Sequence, residues 1–161
     1  MKFFFLFIIL EICFTYIPSD AVKYANKWST KPNPKYRDYA DSSDKNGKTM
    51  EQSNFVSQAL FAGGQSFSGC RGKDQSGMLV YGKDLKNCLE KKDWVHTRKI
   101  SDGVKAGYPV FLFETYTPMI IVGFEGDQIN CCFHRDMENI TKPKCILYKE
   151  SQLDFYYRKK N

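Results

Sequence analysis

Histidine is scarce in this chain of 161 residues, which contains two, His96 and His134. The six cysteines form no Cys-x-x-Cys unit, and neither histidine lies at a spacing typical of metal ligands. We therefore expect no metal and no cofactor. The chain also lacks internal repeats, low-complexity tracts and any nucleic-acid-binding motif. Although its net charge is +6, we expect no nucleic-acid partner.

Long apolar runs are absent except near the first residue, where Lys2 is followed by Phe3–Leu10. This run is too short to span a bilayer as a helix, and its basic start is typical of a secretory signal peptide. We expect a signal peptide from Met1 to about Ser19, with cleavage between residues 15 and 21, and a secreted protein without a stable membrane span. Residues 20–161 then form a single domain of about 140 residues. An N-terminal anchor in the secretory pathway is the alternative.

Five cysteines follow the signal peptide: Cys70, Cys88, Cys131, Cys132 and Cys145. In a secreted chain, five predict two disulfides and one unpaired thiol. Cys145 can pair with Cys131 or with Cys132 but not with both, because adjacent strand residues point to opposite faces. Cys70 and Cys88 are the other expected pair.

Secretion has two further consequences for this sequence. Asn139 begins the triplet Asn139-Ile140-Thr141, a candidate N-glycosylation site. The unpaired thiol, if exposed, permits a disulfide-linked dimer, so a monomer and such a dimer are both open.

A helix is predicted over Thr49–Ala62. Thr49 and Gln52 have the spacing of a capping box, and the apolar residues after them recur at three- and four-residue steps, which predicts one buried face. Gly63 and Gly64 then end the helix. An opening helix over Ala21–Trp28 and a short helix over Leu85–Leu89 are also expected.

The second half of the chain is rich in β-branched and aromatic residues. Four strands are expected: Tyr108–Glu114, Pro118–Phe124, Gln128–His134 and Lys144–Lys149. The turn at Glu125-Gly126-Asp127 predicts that the middle two form an antiparallel hairpin. Helices followed by an antiparallel sheet indicate an α+β fold.

The segment Asn54-Phe55-Val56-Ser57-Gln58, with Gly63 and Gly64 after it, resembles the signature of the putative amidase domain family. Members of that family, relatives of the papain-like NlpC/P60 and CHAP cysteine hydrolases, carry Asp-Cys-Thr-Asn-Phe-Val-Ser-Gln at this helix start. The opening helix and Asn33-Pro34-Lys35-Tyr36 resemble the family's first helix and its Asn-Pro-x-Tyr turn. The resemblance covers most of the mature chain. It implies a papain-like fold, in which a nucleophile at a helix start faces a histidine on the sheet.

The resemblance places the family's cysteine on Gln52. A helix N-terminus favours a thiolate, but an amide cannot be deprotonated there or form an acyl-enzyme. Ile120-Ile121-Val122-Gly123 matches the family's histidine strand, which places the histidine on Thr117, or on Pro118 after a shift of one residue. Neither residue accepts a proton near neutral pH.

His134 falls where family members often have a second histidine, and we expect it to have a structural role. The resemblance therefore implies a secreted pseudoenzyme without an intact catalytic site, which acts by binding a peptide or a cell-wall-derived ligand in the former cleft. The alternative is an active amidase or peptidase that uses Ser53 as nucleophile with His134. On a helix, however, the side chain of Ser53 points about 100° away from position 52.

Overall fold

Three helices and a six-stranded antiparallel sheet make up the part of the chain that the computed structural model describes, residues 15–39, 50–113, 115–134 and 145–158. The predicted α+β class is confirmed. The helices are α1 (Pro18–Trp28), α2 (Met50–Ala62) and α3 (Gly82–Lys91). The strands are β1 (Trp94–Thr97), β2 (Pro109–Leu112), β3 (Pro118–Glu125), β4 (Gln128–Cys132), β5 (Cys145–Lys149) and β6 (Leu153–Arg158).

The strands lie in the order β1-β6-β2-β3-β4-β5. The predicted hairpin is confirmed, since β3 and β4 pair from Glu125 and Gln128 outward around Gly126, whose φ of 61° suits glycine. Two strands were not predicted, β1 and β6. The last strand of the chain, β6, lies inside the sheet between β1 and β2. This long-range return is a tertiary arrangement that no local pattern indicates.

Strand ends differ from the predicted ones by at most two residues. Strand β2 ends at Leu112, because the chain turns there and the N–H of Tyr116 donates to the Leu112 carbonyl. Strand β4 ends at Cys132, two residues before His134. The predicted ends Glu114 and Lys144 lie outside the described residues.

Helix α2 is buried on nearly all sides, so the expectation of one buried face is wrong. Its polar residues are buried along with its apolar ones: Ser53, Asn54, Ser57 and Gln58. Three of these side chains form hydrogen bonds with other segments. The amide N–H of Asn54 donates to the Arg37 carbonyl, and the hydroxyl of Ser57 donates to the Leu79 carbonyl. The side chain of Gln58 accepts from the Tyr24 hydroxyl. These bonds offset the cost of removing polar groups from water.

Hydrophobic packing occupies both faces of the sheet. On one face, α1, α2 and α3 pack against residues such as Phe111, Ile120 and Tyr156. On the other face, Val110, Ile121 and Phe155 pack beneath the segment around Val104. Side-chain alternation along β3 separates these two groups of core residues, because Ile120 and Ile121 point to opposite faces of the sheet.

The cysteines form two disulfides. Cys70 pairs with Cys88, with Cα atoms 5.4 Å apart, and Cys132 pairs with Cys145 across β4 and β5, with Cα atoms 4.0 Å apart. The Cys70–Cys88 pair is the one expected from the sequence, and Cys132 is one of the two alternatives that the sequence left open for Cys145. Cys131 is unpaired and lies buried on the opposite face of the sheet.

We expect the thiol of Cys131 to be unreactive in the folded protein, because burial raises its pKa to about 12. In a Cys13→Ser variant kept under non-reducing conditions, iodoacetamide should label no cysteine at neutral pH and one cysteine after denaturation. Mass spectrometry would identify the labelled residue. The Cys13→Ser/Cys131→Ser double variant is the control and should take up no label in either state. Fast labelling of Cys131 without denaturant would contradict the structure.

Gly107 should tolerate no side chain. Gly107 and Gly103 both have positive φ, at 89° and 102° respectively. A Cβ at Gly107 would lie 2.6 Å from the Pro18 carbonyl carbon, whereas a Cβ at Gly103 would meet nothing within 4 Å. Gly103→Ala should lower the free energy of unfolding by about 1 kcal/mol, from backbone strain alone. Gly107→Ala should lower it by about 2 kcal/mol more, from overpacking. Urea denaturation measures both, and equal losses would contradict the close approach.

Candidate functional site

The start of α2 holds the residue that the resemblance places at the nucleophile position. Gln52 lies in the first turn of the helix and is half-buried. Its proposed capping partner, Thr49, lies outside the described residues. Ser53 is buried beside it.

The start of β3 lies next to the start of α2, and the atoms around Gly82 belong to both segments. A Cβ built on Gly82 would be 3.6 Å from Oγ of Ser53, 3.2 Å from the Tyr116 carbonyl oxygen and 3.9 Å from Cδ of Pro118. The first turn of α2 and the entry to β3 therefore meet where α3 begins. A glycine at position 82 keeps this point free of a side chain.

The two candidate base positions differ in their surroundings. Pro118 is buried, and two-residue alternation from Ile120 puts it on the face of the sheet that carries the helices. Thr117 is half-buried, and its hydroxyl lies 2.8 Å from the hydroxyl of Thr115 in an exposed turn. The geometry thus favours position 118 as the one that faces α2.

His134 also lies on the helix-bearing face, where its ring is enclosed. Its Nδ1 lies 2.7 Å from Oε1 of Glu51, and its Nε2 is hydrogen-bonded to the carbonyl oxygen of Trp28. The ring stacks on Phe55 with a centroid distance of 4.4 Å. A carbonyl oxygen only accepts hydrogen bonds, so Nε2 must carry the hydrogen of that bond.

Both ring nitrogens of His134 are therefore engaged. Nε2 donates to Trp28 and Nδ1 contacts Glu51, so neither is left to accept a proton from the Ser53 hydroxyl in this arrangement. A serine is a usable nucleophile only when a base takes its proton. The contacts of His134 are those of a structural residue.

Glu51 is the residue of this site that sequence reasoning missed. Its Oε2 accepts from the N–H of Tyr39 at 2.9 Å and from the amide of Asn54 at 2.9 Å, while its Oε1 contacts His134. Glu51 is 4% exposed. A signal was present, because the resemblance described above aligns Glu51 with the Asp that precedes the cysteine in the motif. A carboxylate also suits the first turn of a helix, where the backbone N–H groups point.

A cleft of about 460 Å³ lies between the segment that contains Arg37 and Tyr39 and the turn that follows Asp74. It is lined by Arg37, Tyr39, Asp74, Gln75 and Ser76. The hydroxyl of Tyr39 donates to Oδ2 of Asp74 at 2.9 Å. Burial alone would raise the pKa of Asp74, but hydrogen bonds from Ser76, the Met78 N–H and Tyr39 hold that pKa below its usual range. The cleft thus offers a stable carboxylate and a guanidinium to a polar ligand.

The remaining predictions concern glycosylation, metal binding and membrane spans. Asn139 lies outside the described residues. In the stretches that are described, no cluster of three or more His, Cys, Asp or Glu side chains is placed to bind a metal ion. Across the same stretches, no helix combines the length and apolar composition that crossing a membrane requires.

Comparison with known proteins gives one match. Residues 15–106, more than half of the chain, match the family described as Putative amidase domain. This region contains Glu51, Gln52 and Ser53 and ends before Thr117 and His134. No curated protein and no solved structure matches the chain.

The contacts of His134 predict a large structural contribution. His134→Ala should lower the free energy of unfolding by about 3–5 kcal/mol, because it leaves the Glu51 carboxylate buried without this partner. His96→Ala is the matched control, since His96 is 43% exposed and lies 3.1 Å from Asp154. It should cost less than about 1 kcal/mol.

Chemical denaturation of both variants and of Glu51→Gln would test this prediction. The Glu51→Gln/His134→Ala double variant should lose less stability than the sum of its single changes, because the two residues act as a pair. Losses at His134 no greater than at His96 would show that the contacts do not contribute.

Proposed function

The chain belongs to the putative amidase domain family, and from this premise we propose that it is a secreted, catalytically inactive member that acts by binding. The observation that carries the proposal is Gln52, an amide in the first turn of α2, at the position where the resemblance puts the family's cysteine. The N–H groups at a helix start can stabilise a thiolate, but they give an amide no nucleophilic character.

The base position supports the same conclusion. Pro118, which faces the helices, has no titratable group, and Thr117 is the neighbouring alternative. Nucleophile and base act as one unit, so the loss of both removes acyl transfer rather than slowing it by one step.

A papain-like relation is part of the proposal. In that arrangement a helix carries the nucleophile and an antiparallel sheet carries the base. Here α2 packs on the sheet, and its first turn meets the entry to β3 beside Gly82. These positions are consistent with a former active site between α2 and β3.

We propose that the retained cleft binds a polar ligand, either a peptide or a cell-wall-derived peptide stem. Arg37 and Asp74 present opposite charges at its wall. Such charges recognise the carboxylates and amines of peptides. The backbone N–H of Tyr39, a residue of the cleft wall, donates to Glu51, the residue before position 52. This hydrogen bond supports the choice of this cleft.

For a secreted protein, the packing of Tyr16 favours cleavage after Thr15 over cleavage near Ser19. Tyr16 is buried, its hydroxyl donates to the Gly107 carbonyl, and its ring packs edge-on against Trp94. The next residue, Ile17, donates its N–H to the Gly63 carbonyl at 2.7 Å. Cleavage after Ser19 would remove both contacts.

The wild-type protein should hydrolyse no peptide or aryl amide above the rate of its Gln52→Ala variant. Gln52→Cys should accept an alkylating probe but should not turn over substrate, because neither position 117 nor position 118 has an imidazole to protonate the leaving group. Gln52→Cys/Pro118→His should gain measurable turnover, and Gln52→Cys/Thr117→His should gain less, since position 117 points into the exposed turn. Release of a chromogenic amine measures all of these rates.

The active-hydrolase alternative makes the opposite prediction for the same assay. It requires wild-type turnover that disappears in both Ser53→Ala and His134→Gln, with Gln52→Ala unaffected. The His134→Gln change keeps a hydrogen-bonding side chain, so lost activity would not simply reflect unfolding if circular dichroism is unchanged. That pattern would refute the proposed inactivity.

A further inference from the structure

Positive charge is concentrated along α1 and the turn after it. Between residues 23 and 37 the chain has five basic side chains, all exposed, and no acidic one: Lys23, Lys27, Lys31, Lys35 and Arg37. We call these five residues the basic segment. The net charge of the whole chain is +6, so this short segment accounts for most of the excess.

Aromatic rings hold several of these charges in place. The Nζ atoms of Lys27 and Lys31 lie 5.0 and 5.5 Å from the ring centroid of Trp28. Lys35 and Arg37 each lie over the ring of a tyrosine. Such cation–π contacts order flexible side chains before a ligand arrives, which reduces the entropy lost on binding.

Carboxylates do not neutralise the centre of the basic segment. Lys23 is paired with Asp20 at 2.8 Å. In the part of the chain that is described, no ion pair joins Lys27 or Lys31 to a carboxylate. The ordered ammonium groups around Trp28 are therefore available to an anionic ligand.

We propose that the basic segment binds an acidic polysaccharide, a sugar chain that carries sulfate or carboxylate groups. The inference goes beyond the proposed function, because the ligand of the former cleft is a different one. Lysine ammonium groups act as compact point charges, which suits sulfates and carboxylates spaced along a chain. The ligand needs charge at intervals and no apolar or stacking contact.

Two other polyanions fit the segment less well. A membrane surface calls for apolar side chains that insert between lipids, and none of the exposed large apolar residues of the described chain lies between residues 23 and 37. Single-stranded nucleic acid calls for open aromatic faces. Trp28 and Tyr36 are half-buried, and ammonium groups lie over their rings.

Titration of the full chain with heparin, a sulfated polysaccharide, tests the proposal. The test variant replaces three lysines of the basic segment: Lys27→Gln, Lys31→Gln and Lys35→Gln. The matched control replaces three exposed lysines elsewhere: Lys83→Gln, Lys99→Gln and Lys105→Gln. Both lose three charges. We expect the test variant to bind about a hundredfold more weakly at low salt, and the control to lose less than about threefold.

Tryptophan fluorescence locates the ligand, because the chain has two tryptophans. Trp28 is half-buried in the basic segment, whereas Trp94 is buried. Heparin should change the emission of the wild type and of Trp94→Phe, but not that of Trp28→Phe.

Three results would overturn the proposal. Equal losses of heparin affinity in the two triple variants would show that binding depends on net charge and not on the basic segment. Tighter binding to phosphatidylserine vesicles, or to a single-stranded oligonucleotide, with the same dependence on the three lysines would assign the segment to a different partner. Amide hydrolysis by the wild type would refute the proposed inactive site and leave this binding unaffected, so the two failures are distinguishable.

Discussion

The buried carboxylate of Glu51 joins segments that are distant in the chain. It contacts His134 after β4, accepts from Tyr39 before α2, and is bonded to Asn54 within the helix. His134 extends the network to α1 through the carbonyl of Trp28. A carboxylate removed from water is costly unless donors surround it, so these contacts form together or not at all. They set the position of the first turn of α2, where Gln52 lies.

The Glu51 network accounts for the proposed loss of catalysis without a change in the local structure. In the proposal, the former nucleophile and base positions are Gln52 and Pro118, whereas the Glu51 network consists of Tyr39, Asn54, His134 and Trp28. The packing around them comes from buried, hydrogen-bonded residues such as Asn54 and Ser57. We therefore expect substitutions at the two positions to leave the Glu51 network in place. A rigid surface of this kind suits binding, because little entropy is lost when a ligand is bound.

Local patterns predicted where the helices and strands lie, but they did not predict which residues around these elements are buried. The spacing of apolar residues indicated α2, and the turn at Gly126 indicated the β3–β4 hairpin. The same spacing implied a single buried face for α2, whereas α1, the sheet and the segment around Leu79 enclose the helix. Polar residues such as Ser57 and Gln58 are buried there because partners from distant segments bond them. A periodicity of apolar residues contains no information about such partners.

The sequence by itself determined the α+β class, the helical start that carries Gln52, the family and the alternative pairings of Cys145. Each of these depends on residue type and local spacing, which the chain shows directly. The tertiary structure decided the rest: the insertion of β6 inside the sheet, the choice of Cys132 over Cys131, the orientation of Pro118 toward the helices and the pairing of Glu51 with His134. All four depend on strand register and on contacts between residues far apart in the chain. Such contacts form only when the whole domain packs, so a local pattern cannot specify them.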